Sequence, residues 1–110
     1  MFNSRFKCRA ERRSFGVVIC VAGEVDLLTA PVLESALDDQ LNGSSQGGAV
    51  EVDLADVAFL SARGISALVV AAKSAAQKEV DFRVTGCRPS VLRLLNIVGV
   101  AELLGLSPHL

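Results

Sequence analysis

The residues best suited to chemistry lie within residues 50–66, where a short strand pattern gives way to a helix pattern. Ser61-Ala62-Arg63-Gly64 interrupts the alternation of the strand, and the helical spacing of apolar residues begins at Ile65. The first N–H groups of a helix have no partner within it, and the helix dipole is positive there, so this junction favours a phosphate or a carboxylate. A serine at this place is either a regulatory switch or the cap of the helix, and in the capping interpretation Gly64 simply lets the chain turn.

The three cysteines, Cys8, Cys20 and Cys87, are odd in number and widely spaced, a pattern that disfavours a metal site or a disulfide framework. Buried, reduced thiols are the general expectation. One alternative is a redox lock, because a three-residue turn at residues 13–15 would place Cys8 opposite Cys20 in a hairpin. A two-residue turn would instead place Cys8 opposite Ile19, and the sequence does not decide the register.

Enzymatic constellations are poorly represented in the sequence. The single histidine, His109, is next to the last residue, so a Cys-His or Ser-His nucleophile would depend on a frayed end. Neither GxxxxGK(S/T) nor GxGxxG, the glycine-rich phosphate loops, occurs. Asp53, Asp56 and Asp81 have no metal-ligand spacing relative to histidine or cysteine, and we interpret them as solvated. The sequence therefore predicts a binding module rather than an enzyme, with no metal and no cofactor.

Composition predicts a single aliphatic α/β domain over residues 1–110. Of these residues 51% are apolar, Trp and Tyr are absent, and the net charge is −1. This balance argues against a nucleic-acid partner, although basic residues crowd the first hairpin, where we interpret them as a solvated face. No apolar run reaches the roughly 18 residues of a membrane span and no signal-peptide core is evident, so a cytoplasmic location without membrane insertion is expected. The basic residues of the hairpin are Arg5, Lys7, Arg9, Arg12 and Arg13.

Alternating strand and helix patterns predict a mostly parallel sheet with helices packed on it and an N-terminal antiparallel hairpin. The predicted order is β-β-α-β-α-β-α-α, with strands at residues 5–11, 17–22, 50–54 and 80–84 and an apolar anchor at residues 57–60. Thr29 is expected to cap the first helix, and Pro31 lies in its first turn. The last two helices are predicted after Pro89 and after Val98. The apolar stripes of the first two helices are Leu33, Ala36, Leu37 and Leu41, and Ile65, Leu68, Val69, Ala72 and Ala76.

The segments GEVDLLTAPVLESAL, VDLADVAFLSARGIS and RPSVLRLLNIVGVAELL, together with the order of elements, resemble the STAS-domain family of bacterial anti-sigma-factor antagonists. The likeness covers nearly the whole chain and implies a STAS fold. It also implies a protein that binds a cytosolic anti-sigma factor, a serine kinase of the GHKL type, and so frees a sigma factor for transcription. In the family, phosphorylation of the first motif serine ends this binding. The positions that match the family motifs are Gly23, Glu24, Asp26, Thr29, Ser61, Ala62, Arg63, Gly64 and Ile65.

The chain departs from the family pattern at the phosphoacceptor. The chain is aligned with the family motif at Phe59 and Gly64. Ser61 then stands at the motif aspartate, Ala62 at the acceptor serine and Arg63 at the second hydroxyl. Ala62 has no oxygen to phosphorylate, so the resemblance implies a member that escapes the standard switch, with Ser61 as a displaced phosphorylation candidate.

The resemblance implies a monomer or weak dimer that docks through the starts of its first two helices. Two other functions remain open. One is a soluble STAS subunit of an ABC-type lipid transporter, which would contact an ATPase subunit through the same helix end. The other is a nucleotide-binding STAS module that would use Arg63. The expected partner-binding residues are Asp26, Thr29, Ser61, Ala62, Arg63, Gly64 and Ser66.

Overall fold

The computed structural model describes residues 6–106, and within them four strands form one sheet whose spatial order follows the chain. The strands are β1 (Lys7–Arg13), β2 (Gly16–Val25), β3 (Ala49–Leu60) and β4 (Asp81–Thr85). The helices are α1 (Ala30–Gly43), α2 (Ala62–Lys78) and α3 (Pro89–Val98). β1 pairs with β2 antiparallel, whereas β2 with β3 and β3 with β4 are parallel. The predicted α/β fold, a mostly parallel sheet with an antiparallel hairpin, is confirmed.

The hairpin between β1 and β2 turns through two residues, Ser14 and Phe15, because Arg13 pairs with Gly16. Of the two turn lengths that the sequence leaves open, the two-residue turn occurs, although at residues 14–15 it does not place Cys8 opposite Ile19. Gly16 has φ +150°, and a Cβ built there would lie 2.1 Å from the backbone oxygen of Ala49 on β3. Only glycine fits this approach of β2 to β3. The turn has two residues and not three because Arg13 pairs with Gly16 and so belongs to β1.

The aliphatic core lies between the sheet and the helices α1 and α2. Ile19 on β2 and Val52 and Leu54 on β3 have no exposed surface, and each such side chain stabilises the fold by about 1.5–3 kcal/mol. Most of the predicted stripe of α1 is buried. On α2 the buried face is wider than predicted, because α2 packs on α1 as well as on the sheet. The additional buried residues of α2 are Gly64, Ala67, Ala71 and Ala75, while Val69 is half-buried and Ala76 is exposed.

β3 is longer than predicted and takes in the segment interpreted as an apolar anchor. Its register with β2 shifts twice along its second half, as at β-bulges, and each shift changes which side chains face the core. Val57 and Leu60 are buried, whereas 51% of the Phe59 side chain is exposed. Phe59 is therefore a surface residue and not part of an anchor, and α2 begins at Ala62 rather than at Ile65.

One helix, α3, and a single turn replace the two C-terminal helices of the prediction. α3 ends at Gly99, which adopts a left-handed conformation with φ +88°. Gly105 is also left-handed, with φ +78°, and its Cβ would lie 2.9 Å from Cβ of Arg83. The five residues between these glycines allow one hydrogen-bonded turn, in which the Leu104 N–H donates to the carbonyl oxygen of Val100.

Two residues singled out in the sequence, Arg5 and His109, lie outside the described residues. Among residues 6–106, no helix combines the length and apolar character that crossing a bilayer requires.

Candidate functional site

Ser61 caps α2, as the capping interpretation of the sequence predicted. Its backbone is extended, and its Oγ accepts a hydrogen bond of 3.2 Å from the Gly64 N–H. The backbone N–H of Ser61 donates to the carbonyl oxygen of Val25 at 2.8 Å. These bonds fix the first turn of α2 against the end of β2, since they satisfy donors that a helix end otherwise leaves unpaired.

Gly64 serves close packing and not a turn, which corrects the sequence interpretation. Gly64 is buried inside α2. A Cβ built on it would lie 2.7 Å from Cγ1 of Val25 and 2.8 Å from Cδ1 of Leu60. The absence of a side chain therefore lets α2 approach the ends of β2 and β3, which sets the position of the residues around it.

Arg63, in the first turn of α2, forms an ion pair with Glu34 on α1. Its Nε lies 2.8 Å from Oε2 of Glu34, and a terminal guanidinium nitrogen lies 3.2 Å from Oε1. These hydrogen bonds hold the pKa of the Glu34 carboxyl below its usual range. No local pattern in the sequence indicates Glu34, because 29 residues separate it from Arg63. The pair ties the starts of both helices together.

Asp26 and Thr29 hold the turn that leads into α1 by reciprocal hydrogen bonds. Oδ1 of Asp26 accepts from the backbone N–H groups of Thr29 and Leu28, each at 3.0 Å, and Oγ1 of Thr29 accepts from the Asp26 N–H at 2.9 Å. The pKa of the Asp26 carboxyl lies below its ordinary value, chiefly because of the hydrogen bond from the Thr29 N–H. The side-chain cap expected of Thr29 does not form, because its hydroxyl donates to the carbonyl oxygen of Glu24 and makes no cap bond to α1. Asp26 instead holds the turn that precedes the helix.

These residues lie on one surface because β2 and β3 are parallel neighbours and both helices begin at the same edge of the sheet. Ala62, Arg63 and Ser66 are exposed, while Ser61, Asp26 and Thr29 are half-buried. Five large apolar side chains beside them are also at least half exposed, an arrangement typical of protein interaction sites. We call these residues together the junction face; its apolar members are Leu27, Leu28, Val32, Phe59 and Val70.

A cleft of ≈ 200 Å³ runs between α1 and α2 next to the Arg63–Glu34 pair. Small side chains of α2 form its floor, and Val70 and two carboxylates of α1 border it. We call it the α1–α2 cleft; its lining residues are Glu34, Leu37, Asp38, Ser66, Ala67, Val70 and Ala71.

The thiols proposed as a redox lock do not face each other. Cys8 pairs with Val21, and Cys20 pairs with Arg9, so neither the pairing of Cys8 with Cys20 nor that with Ile19 occurs. Successive residues of a strand point to opposite faces, and the two thiols therefore lie on opposite faces of the sheet. All three cysteines are free and half-buried, and burial raises their pKa values.

Known proteins resemble this chain over most of its length. A family model described as "Mlab, STAS domain" matches residues 8–105. The anti-sigma-B factor antagonist of Listeria monocytogenes is 30% identical over 94 residues, which cover 86% of this chain and 81% of that protein.

Solved structures agree with this relationship. The crystal structure of an anti-sigma factor antagonist from Mycobacterium paratuberculosis has a TM-score of 0.82 at 27% identity, covering 96% of this chain and 87% of that one. The phosphorylated form of SpoIIAA, a Bacillus cell fate determinant, shares the fold at 13% identity, with a TM-score of 0.65 over 88% of this chain and 87% of that one. The chain belongs to the STAS-domain family, the family of the anti-sigma factor antagonists.

Proposed function

We propose that this chain is an anti-sigma-factor antagonist, a module that binds a cytosolic anti-sigma factor and so frees a sigma factor for transcription. The observation that carries the proposal is the 30% identity to an anti-sigma-B factor antagonist over 86% of the chain. The junction face supports it, because exposed apolar side chains beside fixed polar groups suit a protein partner better than a small substrate. The chain would act by binding and not by catalysis.

The partner would contact the exposed part of the junction face directly. Ala62, Arg63 and Ser66 present side chains to solvent, together with apolar neighbours such as Leu28 and Phe59. The other expected binding residues act by shaping this surface, since their polar groups are engaged within the chain. Those residues are Asp26, Thr29, Ser61 and Gly64.

We further propose that the partner is a GHKL-type serine kinase whose usual phosphorylation does not reach this chain. Ala62 occupies the position that corresponds to the family acceptor, and a methyl group cannot take a phosphate. Ser61 is engaged by its cap bond to Gly64. Partner binding would then be constitutive, or controlled by a different input.

Affinity capture from the native cell tests the proposal. The tagged chain should recover a GHKL-type kinase, and adding the purified chain to the complex of that kinase with its sigma factor should release the sigma factor in size-exclusion chromatography. The matched control is Arg63→Glu, which should recover less kinase. Recovery of an ABC ATPase instead, with no release of a sigma factor, would contradict the proposal and favour the transporter subunit.

A further inference from the structure

Acidic side chains are concentrated on the elements that build the junction face. Residues 24–43, from the end of β2 through α1, contain five carboxylates and no basic residue, although the whole chain has a net charge of only −1. On α2, Arg63 is the sole charged residue between positions 61 and 72. Complementary potentials are the rule across protein interfaces, so a partner of this face is expected to present basic groups. The five acidic residues are Glu24, Asp26, Glu34, Asp38 and Asp39.

The α1–α2 cleft places an apolar surface next to part of this negative charge. Ala67 and Ala71 on its floor are 6% and 4% exposed, whereas Val70 at its border is 60% exposed. Its volume of ≈ 200 Å³ is below the roughly 300–1,000 Å³ of small-molecule pockets and suits a single long side chain. The apolar floor and the carboxylates at the border together match a side chain with an aliphatic stem and a charged end.

The two carboxylates that border the cleft differ in their engagement. Glu34 is held by Arg63, whereas none of the ion pairs between residues 6 and 106 involves Asp38. Because Glu34 and Asp38 are four residues apart on α1, they lie on the same face of the helix. The Arg63–Glu34 pair shows that a guanidinium fits against this side of α1. Asp38, one turn further along, offers a carboxylate to which a second basic group could bind.

We infer that the partner inserts one basic side chain into the α1–α2 cleft, with its stem on Val70 and Ala71 and its charge on Asp38. The inference rests on the proposed function, since it takes the partner to be the anti-sigma factor. It identifies a specificity-determining residue, Asp38, beyond those that the family motifs mark. A partner with an acidic or purely apolar surface would leave this carboxylate without a counter-charge.

The neighbouring residue Asp39 supplies a matched control for the test. Asp39 has the same charge on the same turn of α1, but it does not line the cleft. The dissociation constant for the captured anti-sigma factor is measured for the wild type, Asp38→Asn, Asp38→Lys, Asp39→Asn and Asp39→Lys at two salt concentrations. Asp38→Asn should weaken binding about tenfold and Asp38→Lys more, with a smaller salt dependence than the wild type, as for a close charge pair across an interface. Both Asp39 variants should stay within about threefold of the wild type, as for charges at a rim.

A photo-cross-linking residue at the exposed position of Val70 identifies what enters the cleft. The expected product joins the chain to a peptide of the anti-sigma factor that contains arginine or lysine next to the cross-link. Equal effects of the Asp38 and Asp39 variants, or a cross-link to a second copy of the chain, would overturn the inference while the proposed function stands. If capture yields no anti-sigma factor, the proposed function fails and the inference fails with it.

Discussion

The carboxylate of Glu34 on α1 holds the guanidinium of Arg63 on α2 through two hydrogen bonds, of 2.8 and 3.2 Å. The pair joins the first turn of α2 to the second turn of α1 at the exposed junction face. A planar contact through two hydrogen bonds fixes the orientation of the guanidinium, whereas a lysine ammonium would meet the carboxylate as a point charge. The geometry of the face therefore depends on residues from two elements that are distant in the sequence.

The first prediction is that Arg63→Glu weakens binding of the anti-sigma factor about tenfold, because it removes the guanidinium that the partner would contact and leaves Glu34 without its partner. The substitution places two carboxylates side by side and disrupts the paired arrangement. The melting temperature should change little, because an exposed ion pair is weak and an acidic residue suits a helix N-terminus.

Lys78→Glu is the control, since it makes the same change of charge at an exposed position in the last turn of α2, away from the junction face. It should keep binding within about threefold of the wild type, as for a charge outside the interface. Normal binding by the single Arg63→Glu variant, measured by calorimetry, would remove Arg63 from the interface.

A second prediction concerns Gly64, whose position leaves no room for a methyl group. Gly64→Ala should lower the free energy of unfolding by about 1–3 kcal/mol, because the new Cβ would overlap Val25 and Leu60. Gly43→Ala is the matched control, since nothing lies within 4 Å of a Cβ at that helical position. It should be neutral or stabilising by less than about 1 kcal/mol. Urea titrations that give equal stabilities for both variants would contradict the packing role of Gly64.

A third prediction is a pH dependence of stability that comes from Asp26. The N–H groups of Thr29 and Leu28 and the Thr29 hydroxyl hold the pKa of Asp26 below its ordinary value of 3.8. The carboxylate therefore contributes stability above that ordinary pKa, and the contribution is lost as the pH falls through the lower pKa of the folded state. Wild type and Asp26→Asn should differ in urea midpoint at pH 7 and converge in strong acid. A difference that is constant across this range would show that the charge of Asp26 is not involved.

A fourth prediction is that mild oxidation forms no disulfide between Cys8 and Cys20, whose side chains lie on opposite faces of the sheet. Mass spectrometry after oxidation should find no such bond within one chain. Arg9→Cys is the positive control, because position 9 pairs directly with Cys20 and the spacing of paired strand residues permits a disulfide. A bond between Cys8 and Cys20 that forms as readily as the control bond would mean that the hairpin changes its register in solution.

The sequence predicts elements well where one local pattern decides them. The alternation of strand and helix, the buried leucines of α1 and the cap at Ser61 follow from spacing and residue type. The prediction of a second C-terminal helix was wrong. Leu103 and Leu104 fit a helical spacing, but the left-handed glycines at 99 and 105 leave room for only one turn between them.

The details of the site depend on contacts that no local pattern contains. The close approach of Gly16 to Ala49, 33 residues away, is one such contact, and the alternation of β1 gives no sign of it. The sequence predicts Arg63 as a binding residue but does not indicate its partner Glu34, which lies on another helix. Gly64 was interpreted as a turn residue because its packing against Val25 becomes visible only once α2 lies on the sheet.

The fifth prediction concerns position 62, which we propose corresponds to the phosphoacceptor of the family. Ala62→Ser, combined with Ser61→Asp to rebuild the family motif, should create a substrate that the captured kinase phosphorylates. A phosphate adds nearly two negative charges to a face that is already acidic, so the phosphorylated variant should lose the partner. Ala62→Ser alone, which keeps the Ser61 cap, shows whether the aspartate is needed. Failure of both variants to accept phosphate from a kinase that modifies another STAS protein would mean that position 62 is not the acceptor site.

The most direct test of constitutive binding is the dissociation constant of the wild-type chain for its anti-sigma factor, before and after prolonged incubation of both proteins with ATP and Mg²⁺. Binding should be tight and unchanged by ATP, with no phosphate on residues 61–66 by mass spectrometry. Loss of binding together with phosphate on Ser61 would contradict constitutive binding and show that the acceptor has moved by one residue.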